Sequence, residues 1–243
     1  MTATGTTGRW ARRSDTRILV TLLIVTVALA SFAYIASEVV EGHPLAIDRW
    51  LLLQLRSVAD PGLSIGPRWF AQAMIDFTAL GGGTVLTLVT TLVTGYLMAR
   101  RKIALAAFVA SSIVAGSLLT ALLKIAFARA RPDIVPHLVE VSSASFPSGH
   151  AMNSAMVYLT GAALLASAEP SRRVRVFLIG AALVLTLLIG FSRIFLGVHF
   201  PTDVVAGWAI GIAWAVASSW VAAILQRRHA IEGVEGTTTS TAR

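Results

Sequence analysis

The sequence predicts an all-α, polytopic membrane protein with six transmembrane helices and an interfacial helix between the first two. Three observations carry that reading. Of the 243 residues, 56% are hydrophobic and only 13% charged, whereas a soluble domain carries roughly 25% charged residues. Apolar runs recur along the chain, each close to the ~20 residues a helix needs to cross a bilayer. Basic residues flank those runs instead of forming a long stripe, which fits the positive-inside bias of membrane loops. The net charge of +8 is therefore topological, and no nucleic-acid partner is expected. There is no cysteine, which excludes a disulfide framework, a Cys-based metal site and a thiol nucleophile.

Residues 1–17 are Thr/Gly-rich and basic and read as a disordered cytoplasmic tail. A single six-span domain over 18–225 follows, then a second disordered tail over 226–243. The first span, 18–36, is longer than the roughly 7–15 apolar residues of a signal-peptide core, so a retained helix is expected. Within the mixed segment 38–68, residues 46–58 put Ile47, Trp50, Leu51, Leu55 and Val58 on one helical face and Asp48, Arg49 and Arg56 on the other. That pattern suits a helix at the outer interface, or one packed over the outer end of the bundle, and no catalysis is attached to it. The second span lies within 71–99, where Asp76 and Gly81-Gly82-Gly83 distort or closely pack its outer third. The third is 103–123, ending at Lys124, and a proline-punctuated loop runs to residue 147. Ser148 or a neighbour then caps the fourth span, which reaches 168. The fifth ends near 191 and the sixth covers about 201–225. No internal repeat is visible.

Charge orients these spans. With both termini inside, inner segments hold thirteen of the 20 Lys and Arg, including Arg100-Arg101-Lys102 and Arg172, Arg173 and Arg175. The outer seven are Arg49, Arg56, Arg68, Lys124, Arg129, Arg131 and Arg193. The same threading puts three polar clusters on the outer face: Lys124 with Arg129-Ala130-Arg131-Pro132, Pro147-Ser148-Gly149-His150, and Ser192-Arg193 through His199 to Asp203. Ionisable groups at a membrane boundary are costly unless paired or used.

Singly, each cluster has an ordinary explanation. Lys124 and Arg193 complement helix C-termini, Asp203 complements an N-terminus, and Pro-Ser-Gly is a normal turn and cap. Together, Lys124, Arg129, Arg131 and Arg193 set four cations around one small volume with no nearby run of acids. Ser148 and the backbone N–H groups of Gly149 and His150 open a helix, a further anion-binding geometry. A phosphoryl group fits such donors, with Arg giving planar bidentate contacts and Lys a point charge. His199 and Asp203 are four residues apart, so they share a face if the helix already includes His199. The carboxylate would then fix the imidazole tautomer and leave the other nitrogen as nucleophile or base. His150, from another span, is left as the acid for the leaving oxygen. No metal and no cofactor are expected, because no cluster of carboxylates is present for two-metal chemistry.

These motifs, Lys124 with Arg131-Pro132, Pro147-Ser148-Gly149-His150, and Ser192-Arg193 with His199 and Asp203, resemble the three-part signature of the type-2 phosphatidic acid phosphatase superfamily. Every fixed position is filled in order, and the six-span layout extends the resemblance over about 18–225. The segment 46–56 is a weaker match to bacterial members acting on phosphatidylglycerophosphate or undecaprenyl diphosphate. The resemblance implies that His199 attacks phosphorus to form a phosphohistidine, that Asp203 orients it, and that His150 protonates the leaving group and then activates water. It implies phosphoryl binding by Lys124, Arg131, Ser148, Gly149 and Arg193, with Arg129 and Ser192 in support. The expected protein is a metal-independent lipid phosphatase of the outer leaflet, whose partners are a lipid phosphate substrate and the bilayer. A non-catalytic lipid-phosphate or anion binding or transport protein is the rival, but an anion transporter would place its charges near the midplane on broken helices. Vanadium haloperoxidases share the signature, but their larger, soluble build does not match six apolar spans.

Overall fold

The computed structural model describes residues 7–42, 45–58, 60 and 62–234. The helices are α1 (Thr7–Glu41), α2 (Ala46–Gln54), α3 (Arg68–Ala79), α4 (Gly83–Ala99), α5 (Ile103–Phe127), α6 (Gly149–Ala168), α7 (Arg172–Phe195) and α8 (Pro201–Arg227). Among the described residues there is no strand, only an isolated bridge between Arg56 and Ser64. Five helices are long and apolar enough to cross a membrane, the count rising to six if α3 and α4 form one broken span. Those two meet at 48°, and the break falls at the predicted glycines. The chain is an all-helical, multi-pass membrane protein.

The small residues of α8 set the packing. Gly207 and Gly211 lie one turn apart, and a Cβ on Gly207 would stand 2.7 Å from the Ser148 carbonyl and 3.1 Å from Ala151 Cβ. A Cβ on Gly211 would meet Ala155 Cβ at 2.5 Å. Without side chains there, α6 can lie directly on α8, the close approach that small residues spaced by four allow between membrane helices. The π-helical turn Ala155–Leu159 falls within α6 at this contact. On the other side of α8, α1 packs along its length, while α3 packs on α7 and α4 on α5. Leu19, Leu23, Leu92, Leu122 and Phe177 face outward, as expected of a surface solvated by lipid.

The largest buried cluster among the described residues gathers at one end of the bundle. Leu52, Leu55, Met74, Val135, Ala151, Phe195, Leu196, Val198 and Val204 form one buried cluster there, and Phe70 meets Phe195 edge-on with centroids 5.1 Å apart. This cluster backs the polar residues of the three motifs.

Several expectations need correction. The candidate first span begins at Ile18 as expected and reaches Glu41, but its helix starts at Thr7, so part of the predicted tail is helical; residues 1–6 and 235–243 lie outside the described residues. The predicted C-terminal tail is ordered as far as Val234. Ile231 and Val234 pack on the cluster around Leu97 and Leu105, and the Glu232 carboxylate accepts the Leu105 N–H at 2.9 Å. The unpaired amides at a helix N-terminus attract a carboxylate, which composition alone did not reveal. The helix predicted over 46–58 stops at Gln54. Its Asp48, Leu52 and Leu55 are buried, whereas Ile47, Arg49 and Trp50 are exposed, so Asp48 turns towards the protein.

Candidate active site

Helix ends and loops from across the sequence meet at the end of the bundle with that buried cluster. Lys124 comes from the last turn of α5, Arg131 from the loop after it, Gly149 and His150 from the start of α6, and Arg193 from the last turn of α7. Ala128 ends α5 in the left-handed region, at φ 44°, where the chain leaves the helix towards Arg129 and Arg131. Gly197 makes the turn from Arg193 to His199 at φ 76°. A Cβ there would lie 2.9 Å from Val135 Cγ2 and 3.0 Å from the Pro136 carbonyl, so both conformation and space require glycine. Buried Arg56 clamps this turn, donating to the Phe195 carbonyl at 2.9 Å and the Pro136 carbonyl at 3.3 Å.

The predicted residues do converge. A Cβ on Gly149 would stand 3.3 Å from Lys124 Cε. The charges of Arg193, Lys124 and Arg131 act on His150, as does the ring of His199, and those of Arg131, Asp203 and Arg193 act on Lys124. Gly81 lies against both Ile189 and the His150 ring: a Cβ there would stand 2.4 Å from Ile189 Cγ2 and 3.4 Å from His150 Cδ2.

His199 is buried, 1% exposed, and lies two residues before α8 rather than within it. The condition set for its pairing with Asp203, a helix already formed at His199, is therefore not met. The two meet by another route. Asp203 Oδ2 accepts the Phe200 N–H at 2.9 Å, closing the start of α8, and His199 Nδ1 stands 3.5 Å from the same oxygen. Ser145 donates its hydroxyl to that oxygen and lies 3.4 Å from Nδ1. On the other side of the ring, Nε2 is 3.3 Å from an Arg131 guanidinium nitrogen. Burial pushes the imidazole down to about 4, while the Asp203 hydrogen bond and charge pull it up and Arg131 and Arg193 push it down. The ring is neutral at physiological pH and protonates only as pH falls towards that value. With Nδ1–H directed at Asp203, Nε2 presents a lone pair.

Three cations remain without a carboxylate partner among the described residues. Lys124 donates to the Ala144 carbonyl. Arg131 donates to the Val198 and Ser143 carbonyls at 2.5 and 2.7 Å, and Arg193 donates to the Thr78 hydroxyl at 2.8 Å. Ser148 occupies the N-cap position of α6, but its hydroxyl makes no capping bond. That hydroxyl and Arg193 Nε are both buried and unpartnered, an arrangement that costs about 1–3 kcal/mol per group unless a ligand satisfies them. The donor set suits an oxyanion.

Two predicted positions stand apart from these donors. Arg129 is not free to face an anion, because it pairs with Asp203 at 2.5 Å and Asp48 at 3.1 Å. The earlier grouping of four free cations is corrected to three, since two carboxylates distant in sequence claim the fourth. The Ser192 hydroxyl bonds back to the Ile189 carbonyl at 2.6 Å and so is committed within its own helix. The sequence reading missed Asp48, Ser145, Thr202 and Thr78 as neighbours of the site. Only Asp48 carried a signal, as the one acid on the short helix α2.

The fold and this site define a membrane-embedded phosphatase. Residues 104–227 match the model of the PAP2 superfamily, and the chain belongs to that family. It is accordingly a hydrolase of the lipid phosphatase class. It is 33% identical over 159 residues to phosphatidylglycerophosphatase B of Bacillus subtilis, covering 64% of this chain and 77% of the relative. It is 35% identical over 114 residues to lipid A 1-phosphatase of Rhizobium etli, covering 43% of this chain and 45% of that protein. Its structure is similar to that of the transmembrane PAP2-type phosphatidylglycerolphosphate phosphatase of Bacillus subtilis, with TM-score 0.73 and 28% identity over 84% of this chain and 98% of the other. It also resembles Aquifex aeolicus LpxE, with TM-score 0.54 and 25% identity over 72% and 95% of the two chains.

Proposed function

We propose that the protein hydrolyses lipid phosphate or diphosphate head groups at the outer leaflet, without metal, through a phosphohistidine. The observation that carries this reading is the buried His199 ring, with Nδ1 held on the Asp203 side and Nε2 beside Arg131. Nε2 attacks phosphorus in line, and the P–O bond to the lipid breaks. His150 gives a proton to the departing oxygen, then takes one from the water that attacks the phosphohistidine. The P–N bond breaks, leaving inorganic phosphate and free His199. Lys124, Arg131, Arg193, the Ser148 hydroxyl and the amides opening α6 bind the phosphoryl oxygens. Because they are held in place before charge develops, they stabilise the transition state without reorganisation. Asp203 orients the ring and stabilises the imidazolium character that grows as the nitrogen gives up its lone pair.

The bias of Lys and Arg towards the opposite side supports placing the site on the extracytoplasmic face, with both termini inside. On that threading α2 lies at the outer interface, and exposed Trp50 and Ile47 suit headgroup depth. A bacterial envelope lipid is favoured as substrate, in keeping with the relative named phosphatidylglycerophosphatase B.

The test is a phosphate-release assay on purified protein across phosphatidylglycerophosphate, phosphatidic acid and undecaprenyl diphosphate, with EDTA or vanadate added. Phosphate release from at least one lipid, unaffected by EDTA and suppressed by vanadate, is expected. Loss of activity on chelation would overturn the metal-free reading, and binding of these lipids without release would support a transporter or binding protein.

A further inference from the structure

The site described so far uses Asp203 to hold His199, yet Asp203 is itself held by groups outside the three motifs. Asp48 of α2 is 2% exposed and accepts three hydrogen bonds: the Thr202 N–H at 2.9 Å, the Thr202 hydroxyl at 2.7 Å, and the Arg129 guanidinium at 3.1 Å. Arg129 in turn donates to Asp203 Oδ1 at 2.5 Å and to the Thr202 hydroxyl at 3.0 Å. Its guanidinium also lies over the Phe200 ring, 4.2 Å from the centroid. A carboxylate buried this deeply is retained only when its charge and lone pairs are met, and here all of its contacts lead to the residues flanking His199.

The charges make this more than a brace. Arg129 on Asp203 alone would cancel the negative charge that the imidazole needs. Asp48 supplies a second negative charge, so Asp48, Arg129 and Asp203 together carry a net charge of −1.

We propose that Asp48 is a positioning residue of the phosphatase, acting through Arg129 and Thr202 to fix the Asp203 carboxylate and preserve its negative field at His199. The inference rests on the reading of His199 and Asp203 as the reacting pair. It gives α2 a role its sequence did not suggest: one side meets the surroundings through Ile47 and Trp50, and the other carries the carboxylate. The remaining charged or titratable groups around the pair are Arg131 and Arg193, His150 at the start of α6, and Lys124 on α5. None of these touches Asp48.

The test compares Asp48→Asn, Arg129→Gln, the double variant and His199→Ala in the full-length protein, measuring kcat, KM and the pH dependence of kcat/KM. Asp48→Asn keeps the shape and leaves Arg129 to neutralise Asp203. It is expected to lower kcat about 10- to 100-fold, as loss of an outer partner does elsewhere, with KM within about twofold because the phosphate donors are untouched. Its acid limb should move to lower pH, because the imidazolium loses support. Arg129→Gln should move that limb to higher pH, because Asp203 then acts unopposed. In the double variant the two losses in kcat should not add. Wild-type kcat and pH profile in Asp48→Asn, limbs moving in the same direction in both single variants, or additive losses would each overturn the proposal. If Asp48→Asn fails to fold, the direction of the Arg129→Gln limb decides alone: upward supports the proposal, and unchanged or downward refutes it. An active His199→Ala protein would instead sink the underlying assignment of the reacting pair.

Discussion

Replacing His199 by alanine is expected to lower phosphate release at least about 10⁴-fold, the scale on which enzymes lose turnover when a nucleophile is removed. The ring is buried, with Asp203 and Ser145 on the Nδ1 side and Arg131 on the Nε2 side. No other neutral nucleophile is so placed among the described residues. His150 lies in the same field of cations but has, among the described residues, no carboxylate within ion-pair distance to fix its tautomer or stabilise it as it becomes phosphorylated. The measurement is kcat for phosphate release on the best substrate of the lipid panel. His199→Asn provides a second variant that fills more of the space and retains a polar group towards Asp203. Either protein, if folded and retaining more than about a tenth of wild-type turnover, would contradict the assignment.

Replacing Arg193 by alanine is expected to cost about 10²–10³ in kcat/KM, the usual effect of losing one preorganised charge donor from an oxyanion site. Arg193 is almost wholly buried, is anchored through Thr78, and leaves its Nε unpartnered. Among the described residues no carboxylate pairs with its charge. Arg193→Lys should recover only part of the loss, because an ammonium cannot reproduce the planar fork. A loss below about tenfold in a folded Arg193→Ala protein would mean that the phosphoryl group is bound elsewhere.

Much of this site was legible in the sequence because its parts are local. Pro147-Ser148-Gly149-His150 is a turn into a helix wherever it occurs, and Lys124 and Arg193 each close an apolar run, so span boundaries alone put them at helix ends. Alternating the spans then placed them at one end of the bundle. The glycines at 81–83 were also readable as a distortion, and α3 and α4 break there.

What the sequence did not disclose depends on pairings between distant segments. Arg129 looked like a fourth phosphate donor because its carboxylates, Asp48 and Asp203, are 81 and 74 residues away. Asp48 looked like one member of a solvated helical face, since amphipathicity says which side is polar and not whether that side meets water or a buried arginine. The His199–Asp203 spacing suggested a shared helical face, but Pro201 begins α8 two residues later. The ring approaches Asp203 from the preceding turn, whose shape depends on Gly197 and on Arg56 from another segment. The packing of Ile231 and Val234 on α5 was hidden for a similar reason, since nothing in a Thr/Gly-rich terminus marks which two apolar residues find a partner.

Turnover by this route requires that His199 become covalently phosphorylated. That requirement is tested most directly by rapid acid-free quenching of the enzyme with ³²P-labelled lipid phosphate, followed by peptide mapping. The prediction is an acid-labile, base-stable phosphoryl group on the peptide carrying His199, formed at a rate no slower than turnover and absent from His199→Ala. Turnover with no such species, or a phosphoryl group mapping to His150 instead, would contradict it.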